Sequence, residues 1–376
     1  MQNTTKDILQ AFVDQNGSDL YLTVGAAPCM RLHNKLEYFP NEALKEEDLR
    51  TLLKDIVSEK AIAEFDATLE YNTALNWNGK RLRVNIFRQK QNTGIAIRRV
   101  ASDIPTFEDL SLPSVYGDLI MEKRGLILLV GPTGAGKSSS LAAMIGHRNR
   151  HGSGHIVTIE DPIEFEHHHQ KCIITQRDVG IDTASYRSGL KNALRQMPDI
   201  IVIGEIRDVE TMENAMAFAE TGHLCVATLH ANNTNQAIER IINFFPEEKH
   251  AQVLMNLGLN LRAILSQRLI TNVHNTRSIA IEIMFNIGHI KELILEGKVR
   301  EIREQIEKGK SSGMQTFEQA LLQLYEDEII TEEMAMAEAD SPANLRLAIR
   351  QSSMGKYRGS ADMPSKPIEL VDKKQF

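Results

Sequence analysis

The residues best placed to do chemistry begin where the chain reads Gly131, Pro132, Thr133, Gly134, Ala135, Gly136, Lys137, Ser138 and Ser139. Glycines at these positions leave consecutive backbone N–H groups free to curl around an anion. A helix starting at the lysine would aim its positive end at the same point. The Lys137 amine would reach β- and γ-phosphate oxygens, and the Ser138 hydroxyl would ligate Mg2+. The spacing therefore describes a cradle for ATP. The order of elements agrees with it, because an apolar run at 125–130 precedes the loop and a helix-compatible stretch at 138–147 follows.

Such a cradle needs an acid on a neighbouring strand to hold the metal. Residues 200–203 form an apolar run that leads through Gly204 to Glu205, which fits that role, while a plain ion pair with Arg207 is the structural alternative. A second acidic group, Glu160, Asp161 and Glu164, directly follows the strand-like run 156–159, and Pro162 ends that strand with a turn. Ligands bind at the carboxyl ends of parallel strands. One of these carboxylates can orient or deprotonate an attacking water, and an ordinary exposed acidic loop is the other reading. His223 and His230 flank the apolar run 224–229. The run His167, His168, His169 does not suit a metal, since adjacent side chains on an extended chain point to opposite faces, and it reads as a surface loop. Met212 and Met216 stand at helical spacing and read as filler of a core or interface.

The elements that must carry these groups fall into blocks. Residues 1–100 mix helical spacing (Ile8, Leu9, Phe12, Val13) with alternating runs such as 81–87, which predicts a small α+β domain. A connector at 101–115 is marked by Pro105 and Pro113. From 116 to 285 continuous apolar runs alternate with helical stretches, the pattern of an α/β domain whose largely parallel sheet is covered on both faces. Residues 286–351 read as helical, and 352–376, rich in Ser, Gly, Pro and Lys, as a flexible tail.

Bulk properties narrow the function classes. With 42% hydrophobic and 25% charged residues the chain is globular, and a net charge of -7 without a dense basic run argues against nucleic acid as a partner. Its apolar runs are strand-sized, far short of a membrane span, and its start lacks the pattern of a secretory signal. Cys29, Cys172 and Cys225 are scattered, as in a reduced cytoplasmic protein.

In combination the loop at 131–138, the box 158–165 (TIEDPIEF), the segment 195–208 (RQMPDIIVIGEIRD) and the histidine pair resemble the type II/IV secretion ATPases. The resemblance spans about residues 5–350 and is nearest the PilT/PilU pilus-retraction branch, on its PilU side. It implies a RecA-like P-loop core, a PAS-like N-terminal domain, and a homo-hexameric ring with ATP bound between the two domains. Residue by residue, it implies Lys137 and Ser138 as the Walker A pair, Glu205 as the Walker B acid, Glu164 as the catalytic glutamate, and His223 and His230 as phosphate-sensing histidines. Arg81, Arg83, Arg88 and Arg98 match the arginines that close on the triphosphate, with Arg83 and Arg98 the catalytic ones. The implied function is a motor that couples ATP hydrolysis to pilus retraction and twitching motility. It would be peripheral at the inner-membrane face and bind a platform protein there, beside a sister retraction ATPase.

Where PilT proteins carry an AIRNLI-like sequence, residues 288–295 here read GHIKELIL, which favours an accessory motor or a nucleotide-dependent modulator of a partner ATPase. A pilus-assembly or type II secretion ATPase is a further alternative. Those relatives usually carry a larger N-terminal region and a tetracysteine module, and this chain has 3 cysteines.

Overall fold

The computed structural model describes residues 4–33 and 35–359. The first block folds as α1 (Thr5–Asp14), β1 (Asp19–Thr23), β2 (Cys29–Leu32), β3 (Lys35–Tyr38), α2 (Glu46–Ile56), α3 (Glu59–Thr68), β4 (Glu70–Trp77), β5 (Lys80–Gln89) and β6 (Asn92–Arg99). Thr4 and Asp7 form a reciprocal capping box that starts α1 and satisfies its free N–H groups. The six strands make one antiparallel sheet in the order β3-β2-β1-β6-β5-β4. Its apolar face takes Leu20 and Leu22 of β1, Leu82, Val84 and Ile86 of β5, and Ile95 and Ile97 of β6. The helices cover this face with Ile8, Phe12, Leu49, Leu53 and Phe65. Strand alternation sends Arg81 and Arg83 to the opposite face.

The second block comprises α4 (Val115–Ile120), β7 (Gly125–Val130), α5 (Lys137–His151), β8 (Gly154–Glu160), β9 (Cys172–Asp178), α6 (Tyr186–Ala193), β10 (Ile200–Ile206), α7 (Val209–Glu220), β11 (Leu224–Leu229), α8 (Thr234–Phe244), α9 (His250–Asn260), β12 (Leu261–Thr271) and β13 (Arg277–Phe285). Its seven strands run β13-β12-β7-β11-β10-β8-β9. All neighbours are parallel except the edge hairpin β12–β13. β7 and β11 are buried along their whole length because both faces are covered. Leu126, Leu128 and Val130 face one core, while Ile127 and Leu129 face the other.

Helices α10 (His289–Leu295), α11 (Ile302–Lys308), α12 (Phe317–Glu326), α13 (Glu332–Glu338) and α14 (Pro342–Gly359) complete the described residues. The last three pack on the edge hairpin through Phe317, Leu321, Ala335 and Leu345 against Ile270 and Ala280. Arg268 clamps this contact: it lies over the Phe317 ring with 4.0 Å to its centroid and pairs with Asp340. α14 runs to Gly359, past Ser352 where the sequence suggested that a tail begins, and the rest of that expected tail lies outside the described residues. Among the described residues no helix is long and apolar enough to cross a membrane.

Candidate active site

The parallel strands β7, β10 and β11 end on one edge of the large sheet, and each delivers a functional group there. β7 runs into the glycine loop. Gly134 and Gly136 hold φ +80° and +84°, the left-handed region that a side chain disfavours. Gly131 passes so close to β12 that a Cβ on it would sit 2.6 Å from the Gln267 carbonyl oxygen. With Gly136 as its N-cap, α5 starts at Lys137 and presents its free N–H groups to the cleft.

The Lys137 ammonium folds back on its own loop and donates to the carbonyl oxygens of Gly131 at 2.6 Å and Pro132 at 2.9 Å. Burial pushes it down to about 8, against the pull of Glu205 and Glu164. Its third neighbour is His230 Nδ1 at 3.3 Å, just past the end of β11. His230 Nε2 lies 3.1 Å from Glu205 Oε1. Burial, then Lys137, hold the imidazole below its ordinary range. A neutral ring with its proton on Nε2 satisfies both contacts: it accepts from Lys137 and donates to Glu205. Glu205 Oε2 in turn accepts from Arg207 Nε at 2.7 Å. The ion pair with Arg207 and the place beside the lysine are therefore both realised.

Lys137, Ser138, Ser139, Glu205, His230, Glu160, Asp161 and Glu164 all line one cleft of about 460 Å³, together with Thr133, Gly134, Ala135 and Gly136. Glu160 is half-buried, its desolvation raises its carboxyl above the usual range, and it accepts from the Thr158 hydroxyl at 2.6 Å. Glu164 makes no hydrogen bond to a described residue, yet its charge acts on Lys137, Arg83 and Arg98. It stands between the loop and the N-terminal domain. The oxygen donors here, the Ser138 hydroxyl among several hydroxyls and the carboxylates, are the hard ligands Mg2+ prefers.

The four arginines divide. Arg83 and Arg98 are directly opposed across β5 and β6, and both line a second cleft that shares Asp161 and Pro162 with the first. Arg83 has no hydrogen-bond or ion-pair partner among the described residues. Burial holds its guanidinium below the ordinary value, while Asp178, Glu164 and Asp161 act against that. Arg98 is paired with Asp19 at 2.7 Å. Arg81 crosses to the core domain, 3.6 Å from Asp178 and 3.4 Å from Asp182.

Arg88 corrects the sequence expectation. It shares the strand parity of Leu82, Val84 and Ile86, so it points to the helical side of the small sheet. There it pairs with Glu46 and Asp66, both at 3.0 Å, and lies over the Phe65 ring. These contacts hold it within the N-terminal domain, and it lines neither cleft. His223 is a second correction. It precedes β11, whose first residue pairs with Gly125, so it lies at the opposite sheet edge from His230, on the order of 20 Å away. There it contacts the Thr221 hydroxyl. A third concerns the expected histidine surface loop: His167 is buried and lines the cleft, because Gln176 captures its backbone N–H at 2.7 Å.

Sequence reasoning passed over Tyr186, Arg277 and Gln176. Tyr186 and Arg277 line the cleft from the start of α6 and of β13, and Gln176 reaches the acidic loop from β9. Nothing local in the sequence announces them, since each arrives through a long-range strand or helix placement.

The type II/IV secretion system protein family matches residues 74–358. The chain is 48% identical over 348 residues, 92% of its length and 91% of the relative's, to the type IV pilus ATPase PilU of Pseudomonas aeruginosa. It is 38% identical to the type IV pilus retraction ATPase PilT of the same organism, over 90% of this chain and 98% of that one. A crystal structure of the pilus retraction motor PilT with bound ADP superposes with a TM-score of 0.85 at 36% identity. That match covers 92% of this chain and all of the other.

Proposed function

The chain belongs to the type II/IV secretion system protein family, and from that premise we propose that it is a hexameric ATPase whose hydrolysis of ATP drives type IV pilus retraction, and with it twitching motility. One observation carries this reading. Lys137, His230 and Glu205 form a continuous hydrogen-bonded chain at the sheet edge, beside an otherwise unbonded Glu164. Arg83, without an ion-pair partner among the described residues, faces Glu164 and Asp161 from a separate domain.

In this reading the loop N–H groups and Lys137 bind the β- and γ-phosphates. Ser138 and Glu205 would hold Mg2+, which neutralises charge on the transferring phosphoryl group when bound. Glu164 orients the attacking water, and His230 keeps Lys137 and Glu205 in mutual register. Arg83, with Arg81 beside it, supplies positive charge to the equatorial oxygens once the domains close. Closing on ATP and relaxing after cleavage gives a mechanical stroke. The pilus platform protein at the cytoplasmic face of the inner membrane is the proposed docking partner.

Purified protein should hydrolyse ATP, and the Lys137→Ala variant should lose nucleotide binding. Glu164→Gln should keep binding and lose about 10²–10⁴-fold in turnover. Hydrolysis no faster than that of Lys137→Ala would refute the enzyme. A deletion strain with normal twitching and no excess pili would refute the retraction role. A second reading, an accessory motor working beside a sister ATPase, is favoured by the segment 288–295 and by the higher identity to PilU than to PilT. Turnover that rises severalfold on adding the sister ATPase would support it.

A further inference from the structure

Glu164 has no side-chain hydrogen bond to a described residue, so its position is set by the backbone of its loop. That loop leaves β8 at Glu160 and turns back toward β9, where Gln176 lies opposite Thr158 in the parallel register. The Gln176 amide turns three of its four hydrogen-bonding positions to the loop. Its Nε2 donates to Glu160 Oε1 at 3.2 Å and to the Phe165 carbonyl oxygen at 2.9 Å, and its Oε1 accepts the His167 N–H at 2.7 Å. One bond holds the stem of the loop and two hold the backbone just beyond Glu164. From the other side, Ala101 in the domain connector bridges to Phe165 and accepts the Glu166 N–H at 2.8 Å.

Only a glutamine matches this set. A glutamate would turn acceptors toward the Glu160 carboxylate and the Phe165 carbonyl, and an asparagine is one methylene short. We infer that Gln176 is a positioning residue for Glu164, which fixes the loop from the core while the connector holds it from the N-terminal side. The inference rests on the reading that Glu164 orients the attacking water.

The test is a double-mutant cycle on the full-length hexamer with Gln176→Leu, Glu164→Gln and both together. It follows single-turnover ATP cleavage, KM and ADP affinity. Gln176→Leu is expected to lower the cleavage rate about 10²-fold, the scale of a misplacement of about 1 Å. ADP affinity and KM should stay within about twofold, since the phosphate loop is untouched. In the Glu164→Gln background the same change is expected to have almost no effect, because its route of action is already gone. Equal factors in both backgrounds, or an unchanged rate in the single variant, would overturn the inference. Should Gln176→Leu fail to assemble, Gln176→Glu keeps the length and the acceptor for His167 and is judged by the same cycle. Wild-type cleavage by Glu164→Gln alone would refute the role of Glu164 itself and take the inference with it, an outcome visible in that single variant.

Discussion

Arg83 and Arg88 lie five residues apart on one strand, and the structure gives them opposite surroundings, whose consequences a pair of substitutions should separate. Arg88 is bonded to Glu46 and Asp66, both at 3.0 Å, to the Thr93 hydroxyl at 3.2 Å, and lies 5.0 Å from the Phe65 centroid. The two ion pairs are partly exposed, with Asp66 at 44%, so screening leaves about 0.5 kcal/mol or less in each. The cation–π contact adds about 0.5–1 kcal/mol and the hydroxyl bond a similar amount. Arg88→Ala should therefore destabilise the N-terminal domain by about 2 kcal/mol, or roughly 8–16 °C in melting temperature for a unit of about a hundred residues. Turnover per folded hexamer should not change.

Arg83→Ala should do the reverse. Its guanidinium is half-buried without an ion-pair partner among the described residues, so removing it forfeits no bond, and stability should hold to within about 0.5 kcal/mol. Turnover should fall by about 10³-fold or more, the scale of an arginine that meets the transition-state charge. Thermal melts with ATPase assays on both variants give the comparison. Loss of turnover in a folded Arg88→Ala protein, or full turnover in Arg83→Ala, would refute the division of labour by strand face.

Gly131→Ala should abolish nucleotide binding, because its Cβ would meet the Gln267 carbonyl oxygen at 2.6 Å and push the loop off β12. Fluorescent-ADP titration would show this, and ordinary affinity would contradict it. His223→Ala should leave ADP affinity within about twofold of wild type by the same titration, since the ring lies at the far edge of the sheet on the order of 20 Å from the cradle. Arg268→Ala removes the Asp340 pair, the Asn232 and Glu338 carbonyl bonds and the Phe317 contact. It should loosen α12–α14 by about 2–3 kcal/mol, read as faster hydrogen exchange in 317–349 than in the parallel sheet.

The parts of this molecule legible in its sequence are those set by local rules. Glycine spacing, a lysine and the apolar runs on either side are enough to place β7, the loop and α5, because a both-faces-buried strand must be continuously apolar. The edge hairpin β12–β13 and the strand β9 escaped notice, since their half-polar runs gain partners only through the sheet order. The two misplaced residues are different, for the signals were present. Arg88 alternates in phase with Leu82, Val84 and Ile86, while Arg81 and Arg83 do not. His223 stands before a strand whose parallel neighbour reaches the phosphate loop only at its other end. In both cases the strand geometry places the residue away from the cleft, against what the family resemblance implies. His167 and Gln176 had no such signal, because their bond joins a loop to a strand whose register no short window reveals.

The quality of the arginine contacts decides which of them a nucleotide can recruit. Arg88 and Arg98 are held at 3.0 and 2.7 Å, ordinary charge-assisted distances, and drawing either away would break a formed pair. Arg81 reaches Asp178 and Asp182 only at 3.6 and 3.4 Å, with its Nε and Asp178 Oδ2 buried and without hydrogen bonds, and Arg83 reaches no carboxylate among the described residues. These two therefore gain most from a polyanion in the cleft. They sit two residues apart on the face of β5 that looks toward the core domain, so one rotation of the small sheet moves both. A triphosphate would compete with Asp178, Asp182, Asp161 and Glu164 for those cations, and its cleavage would return them. Asp178 and Asp182 would then be the resting partners of Arg81 against which a nucleotide must work, and the slack in those two contacts would limit the energy lost in breaking them.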